Sequence, residues 1–81
     1  MVKIDGGYIR GIDHKPDNKM LVSALVAIAR QFDMTVIAEH VENAAEARVL
    51  RSLEVDGFQG YLFGRPALVW CDGEGVPQYA G

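Results

Sequence analysis

The stretch Val36-Ile37-Ala38-Glu39-His40-Val41-Glu42 constrains the fold of this 81-residue chain more than any other. It opens as a short apolar run rich in β-branched residues. It then delivers a carboxylate, an imidazole and a second carboxylate in close succession. A buried strand that stops at acidic residues is the pattern of a parallel-sheet strand whose C-terminal end faces a site. The residues before it read as strand then helix, and those after it as helix then strand.

In chain order, Val2-Lys3-Ile4-Asp5 alternates apolar and polar side chains, so Val2 and Ile4 share one strand face and Lys3 and Asp5 the other. Gly6-Gly7 ends this strand, and Gly11 to Asp17 reads as a loop in which Pro16 discourages helix before it. Asp17 or Asn18 is the expected N-cap of a helix running to about Phe32, with Leu21, Leu25, Ile28 and Phe32 on one stripe. Val22, Val26 and Ala29 widen that stripe, which predicts a helix covered on much of its circumference. Thr35 to Ala38 is the second strand. Asn43 caps the next helix, with Glu46 three residues on in a capping-box variant, and Ala47, Leu50 and Leu53 form its buried face. Asp56-Gly57 turns the chain into a third strand, Phe58 to Leu62, ended by Gly64-Arg65-Pro66. Ala67 to Trp70 suits a strand or a helical turn, and Gly73 to Gly81 reads as a loose tail.

The resulting fold class is α/β, a β-α-β-α-β order whose helical crossovers imply parallel strands with right-handed connections. Three such strands do not close an architecture, so the sheet either keeps exposed edges or is a piece of a larger domain, and the second reading is preferred. On that reading residues 1–68 are the domain portion and 69–81 a C-terminal tail. Apolar surface meant for absent neighbours predicts self-association.

Composition narrows the function classes. Basic residues are scattered and the net charge is −3, which argues against a groove for polymeric nucleic acid. Cys71 is the single cysteine, so no intramolecular disulfide and no cysteine-based zinc site can form. The longest apolar run, Ala24 to Ala29, is far short of a membrane span, and no signal core is present. The chain reads as cytoplasmic.

Chemistry is expected at the strand ends, where Asp5, Glu39 and Gln59 converge on one rim with Lys3 beside them. Converging carboxylates suit divalent metal binding or general-base work, and a lysine among them orients a water or offsets phosphate charge. Each residue also has a plainer reading. Lys3 and Asp5 can be a strand-end ion pair, Glu39 and Glu42 a solvated loop ahead of a helix N-terminus, and Gln59 a partner for backbone groups. By the same reasoning His40 is a packing or loop residue, Glu46 a capping residue, and Tyr61 and Phe63 core.

Taken together, Lys3-Ile4-Asp5, Ala38-Glu39-His40-Val41-Glu42 and Asp56-Gly57-Phe58-Gln59-Gly60-Tyr61-Leu62-Phe63-Gly64-Arg65-Pro66 resemble the C-terminal part of the bacterial EAL domain, from Val2 to about Leu68. That family is a TIM-like (β/α) barrel that hydrolyses cyclic di-GMP to the linear dinucleotide pGpG. The resemblance implies that Lys3 touches the attacking water and that Asp5 is its neighbouring acid. It implies that Glu39 acts as general base or holds a metal, directly or through a bound water. Glu42 would support an active-site loop, and Gln59 would close the site. Two Mg²⁺ or Mn²⁺ ions would serve the complete domain, clamping attacking and leaving oxygens. The namesake Glu-Ala-Leu motif, the metal-binding Asn and Glu, and the paired aspartates belong to earlier strands and are absent from these residues. A full barrel takes eight strands and about 250 residues, so this chain would begin at the sixth strand and be inactive alone. The family usually has Gly where His40 stands. The alternative is a module of the same family that binds cyclic di-GMP or a protein without catalysis.

Overall fold

A computed structural model of the chain describes residues 1–62, 65–71 and 77–80. Strand β1 (Val2–Ile4) is followed by a short helix α1 (Gly6–Ile9), a 3-10 turn (Ile12–His14) and the long helix α2 (Pro16–Gln31). Strand β2 (Val36–Ala38), helix α3 (Ala44–Ser52) and strands β3 (Gly57–Leu62), β4 (Arg65–Cys71) and β5 (Pro77–Ala80) complete the order. The five strands form one sheet in sequence order.

β1, β2 and β3 are parallel, as the helical crossovers require, with Ile4 beside Ala38 and Ala38 beside Phe58. The sheet is not parallel throughout. β4 pairs with β3 in antiparallel register, Phe58 opposite Val69 and Leu62 opposite Arg65, and β5 pairs antiparallel with β4. Only two residues join Leu62 to Arg65 in sequence, too few for the crossover that a parallel partner would need. Ala67 to Trp70 is therefore strand, and Pro77 to Ala80, expected in a loose tail, adds a further one. Phe63, Gly64 and the rest of the expected tail, 72–76 and 81, lie outside the described residues.

One face of the sheet carries the core. Val2, Ile4, Val36, Ala38 and Phe58 meet Val22, Val26 and Ala29 of α2 and Leu50 of α3, with Ile9, Ile12, Val41, Val55 and Val69 completing the cluster. Each fully buried aliphatic side chain here contributes about 1.5–3 kcal/mol relative to exposure. Alternation puts Lys3, Ile37, Gly57 and Gln59 on the opposite face. There Ile37 is buried, and its side chain and the Trp70 ring lie 3.2 and 3.1 Å from where a Gly57 Cβ would stand.

The helices depart from expectation in three ways. The segment Gly6 to His14 is helical in two short pieces, because Asp5 caps the first: its Oδ2 accepts the Gly7 amide at 2.9 Å. α2 begins at Pro16 with Lys15 in the N-cap position, so neither Asp17 nor Asn18 caps it; proline suits the first helical turn because its missing N–H has no partner there anyway. Of the expected stripe, Leu25 packs against the core, whereas Leu21, Ile28 and Phe32 are exposed, Phe32 at 69 %. The core-facing line is Val22-Leu25-Val26-Ala29, and Met20, Leu21, Ile28 and Phe32 form a second apolar line with nothing over it among the described residues.

Both helices of the crossovers stop in the same way. Met34 donates to the Ala29 carbonyl and Asp33 to that of Arg30 at the end of α2; Val55 donates to Leu50 and Glu54 to Arg51 at the end of α3. These are Schellman stops, with Asp33 and Glu54 in the left-handed conformation such stops need. Just beyond, Asp56 aligns the start of β2: its Oδ2 accepts the Val36 amide at 2.7 Å and Arg30 Nη1 at 2.9 Å, while Arg30 Nη2 donates to the Glu54 carbonyl. That anchorage fixes where β2 ends, and so where Glu39 is delivered.

Candidate functional site

The last paired row of the parallel strands is Ile4, Ala38 and Phe58, and the next residue on each is Asp5, Glu39 and Gln59. Backbone pairing continues across this row, with Glu39 N–H donating to the Ile4 carbonyl and Val41 N–H to that of Gln59, both at 3.0 Å. Three polar residues thus follow the last parallel row: Asp5 and Glu39 leave the sheet there, while Gln59 continues in β3 opposite Leu68.

The side chains then divide. Lys3, Glu39, His40, Gln59, Gly60 and Tyr61 line a cavity of about 460 Å³ at that edge, with Ala67 and Leu68 of β4 on its far wall. Lys3 Nζ lies 3.9 Å from Glu39 Oε1, and both groups are open to solvent, 52 % and 29 %. A pair this long and this wet adds little to stability. It leaves a cation and a carboxylate free to turn toward a ligand. Asp5 does not line the cavity; its carboxylate holds the first turn of α1. Glu42 is exposed and outside the lining, and its backbone amide donates to Glu46 Oε1 at 3.0 Å.

Glu46 has a larger part than capping alone. Asn43 Oδ1 accepts the Glu46 amide at 2.8 Å, as the Asn-x-x-Glu spacing predicts. The Glu46 carboxylate, however, does not return to Asn43. It accepts the Glu42 amide with one oxygen and the Gly11 amide with the other, at 3.0 and 2.8 Å, and is only 3 % exposed. One side chain thereby ties the connection after β1 to the connection after β2. Nothing in the local sequence marks Gly11 as its second partner, since the two are 35 residues apart.

Tyr61, expected in the core, is instead 64 % exposed on the cavity rim. The residue lies on the same side of β3 as Gln59, two positions on, and this alternation is the signal that could have placed it. His40 also lines the cavity, with φ +58°.

Among the described residues no group of three or more His, Cys, Asp or Glu side chains could hold a metal ion. At the mouth Glu39 supplies a single carboxylate, so these residues do not build a metal centre by themselves. No helix among the described residues is long and apolar enough to cross a membrane.

Comparison with known proteins gives a consistent result. The family model described as the EAL domain matches residues 1–66. The bifunctional diguanylate cyclase/cyclic di-GMP phosphodiesterase MucR of Pseudomonas aeruginosa is 40 % identical over 65 residues, 80 % of this chain and 10 % of that protein. The cyclic di-GMP phosphodiesterase PdeF of Escherichia coli is 39 % identical over 66 residues, 82 % of this chain and 9 % of that protein. Among solved structures, a manganese/cyclic di-GMP complex of Klebsiella pneumoniae BlrP1 superposes with a TM-score of 0.74 at 35 % identity, covering 82 % of this chain and 17 % of that one. The chain thus spans about a tenth of the length of the curated relatives it matches.

Proposed function

The chain belongs to the EAL domain family, and on that premise we propose that residues 1–66 are the C-terminal share of a cytoplasmic phosphodiesterase domain that hydrolyses cyclic di-GMP to linear pGpG. The observation that carries this reading is the convergence of Lys3, Glu39 and Gln59 on one cavity at the ends of parallel strands.

In the reaction a water oxygen bonds to phosphorus, the opposite P–O ester bond breaks, and the departing ribose oxygen takes up a proton. Glu39 accepts a proton from the attacking water, and Lys3 holds that water while opposing the charge that builds on the phosphoryl oxygens. Gln59 has an amide that can donate to a phosphate oxygen and accept from a ribose hydroxyl. Asp5 and Glu46 act at one remove, the first by holding the turn after Lys3 and the second by fixing the segment that bears Glu39. A pair of divalent ions, Mg²⁺ or Mn²⁺, supplies Lewis-acid chemistry to such reactions. Of the ligands they need, Glu39 is the carboxylate that lines this mouth.

The test is conversion of cyclic di-GMP to pGpG, followed by chromatography in Mn²⁺, for the full-length protein that carries these residues. Turnover that falls at least a hundredfold in Lys3→Ala and Glu39→Gln supports the reading. Undiminished turnover in either variant overturns the assigned role. Residues 1–81 alone should be inactive, for want of metal ligands. A second reading, a module that binds cyclic di-GMP without cleaving it, draws on the same mouth. Calorimetric binding by a full-length protein that shows no turnover would select it.

The exposed line Met20, Leu21, Ile28 and Phe32 supports self-association of the isolated chain. Light scattering that finds a monomer at high concentration would remove that part of the proposal.

A further inference from the structure

Among the described residues three that are not glycine adopt the left-handed conformation: Asp33, His40 and Glu54. For Asp33 and Glu54 the reason is local, because each occupies the stop position of a helix. His40 has no such reason. It follows strand β2, between Glu39 and Val41, at a position where glycine would adopt φ +58° without penalty. A bulky side chain held in this conformation at the rim of a cavity calls for a functional account.

The surroundings of the imidazole supply one. Its Cβ, Cγ and Cδ2 atoms lie 2.6, 2.8 and 2.9 Å from the point a Gly6 Cβ would occupy, so the ring side rests in the vacancy that Gly6 leaves. The bare backbone of Gly6 and the left-handed turn at residue 40 together fix the ring over the end of β1. It is exposed, lines the same cavity as Lys3, Glu39 and Gln59, and neither ring nitrogen has a partner among the described residues. A ring nitrogen that carries hydrogen is a donor, and the mouth already holds the cation of Lys3.

Resting on the phosphodiesterase reading above, we propose that His40 is a ligand-contacting residue, donating from its ring to a phosphate oxygen of the bound cyclic dinucleotide and thereby setting affinity at this mouth. It takes no proton in the reaction. Its contribution is to binding and to the placement of the phosphodiester beside Lys3.

The experiment compares the full-length protein with His40→Gly and His40→Asn, measuring cyclic di-GMP affinity by calorimetry in EDTA and kcat and KM in Mn²⁺. Glycine suits the backbone at this position, so His40→Gly should melt no lower than wild type. Losing one hydrogen bond to a charged group should weaken its binding about tenfold or more, with the loss appearing in KM. Asparagine tolerates the left-handed turn and keeps a donor, and should recover part of the loss. Binding by His40→Gly as tight as wild type, or tighter, overturns the proposal, as does a fall confined to kcat. A wild-type protein that neither binds nor cleaves the dinucleotide sinks the functional reading itself and this proposal with it.

Discussion

A Cβ placed on Gly60 would stand 2.1 Å from the carbonyl oxygen of Val41 and 2.6 Å from its nitrogen. The segment after β2 therefore crosses directly over β3, close enough that only hydrogen fits between the two backbones. The crossing sits beside the Val41–Gln59 hydrogen bond, which carries the sheet one row past its last formal pair. Gln59 and Glu39 are held in one cavity by this contact.

Replacing Gly60 with alanine tests the crossing. The obstacle is backbone and not a flexible side-chain tip, so the Val41–Gln59 pair must part. Gly60→Ala should cost more than about 3 kcal/mol, beyond the usual overpacking range. Urea denaturation that finds the variant within about 1 kcal/mol of wild type, the order of error in such fits, would show that the two backbones do not cross this closely.

Lys3→Ala should separate activity from stability. Its side chain is half exposed and its Nζ 3.9 Å from Glu39, so the midpoint of thermal unfolding should move little, corresponding to less than about 1 kcal/mol. Loss of a cation at the reacting phosphate should lower turnover by about 10²-fold or more. A large thermal shift with activity retained would recast Lys3 as the strand-end ion pair of the plainer reading.

Glu46→Ala should be the most harmful change among the acidic residues outside the cavity. It strips acceptors from the amides of Gly11 and Glu42 in a part-buried setting, at about 1.5–3 kcal/mol for a hydrogen bond to a charged group. Glu46→Gln keeps one acceptor oxygen and should recover part of this. Chemical denaturation of the two variants gives the comparison; equal stability of both with wild type would remove the tie between the connections.

Glu54→Gly runs in the opposite sense. Glu54 has φ +68° at the stop of α3, where a side chain is strained and glycine is not. After the entropy glycine loses on folding, a gain of about 0.5–1 kcal/mol is expected. A decrease in the melting temperature would contradict the left-handed assignment.

What could be read from the residues alone follows from how local each signal was. The strands through Lys3 and Ile37 and the helices between them were legible because alternation and helical spacing act over a few residues, and Asn43 announced its helix unaided. The Asp5 cap is hidden because two following glycines look like a break, although the amide of the second, Gly7, is what the carboxylate needs. The antiparallel pairing of β4 could not be seen in Ala67-Leu68-Val69-Trp70, since a uniformly apolar run names neither its partner nor its direction. The site divided along the same line. Strand register brings Lys3, Glu39 and Gln59 together, while a bond two residues long draws Asp5 away, and Tyr61 stands on the rim and not in the core because an aromatic ring carries no mark of which side it will take.

The nesting of the His40 ring in the gap at Gly6 makes these two positions a single evolutionary choice. A lineage that carries any side chain at position 40 is obliged to leave position 6 bare. One that has glycine at 40 is released to vary position 6 at will. Substitutions at the two sites should therefore appear in order, the first opening space before the second fills it, and sequences bearing bulk at both should be missing from any family tree drawn around this chain.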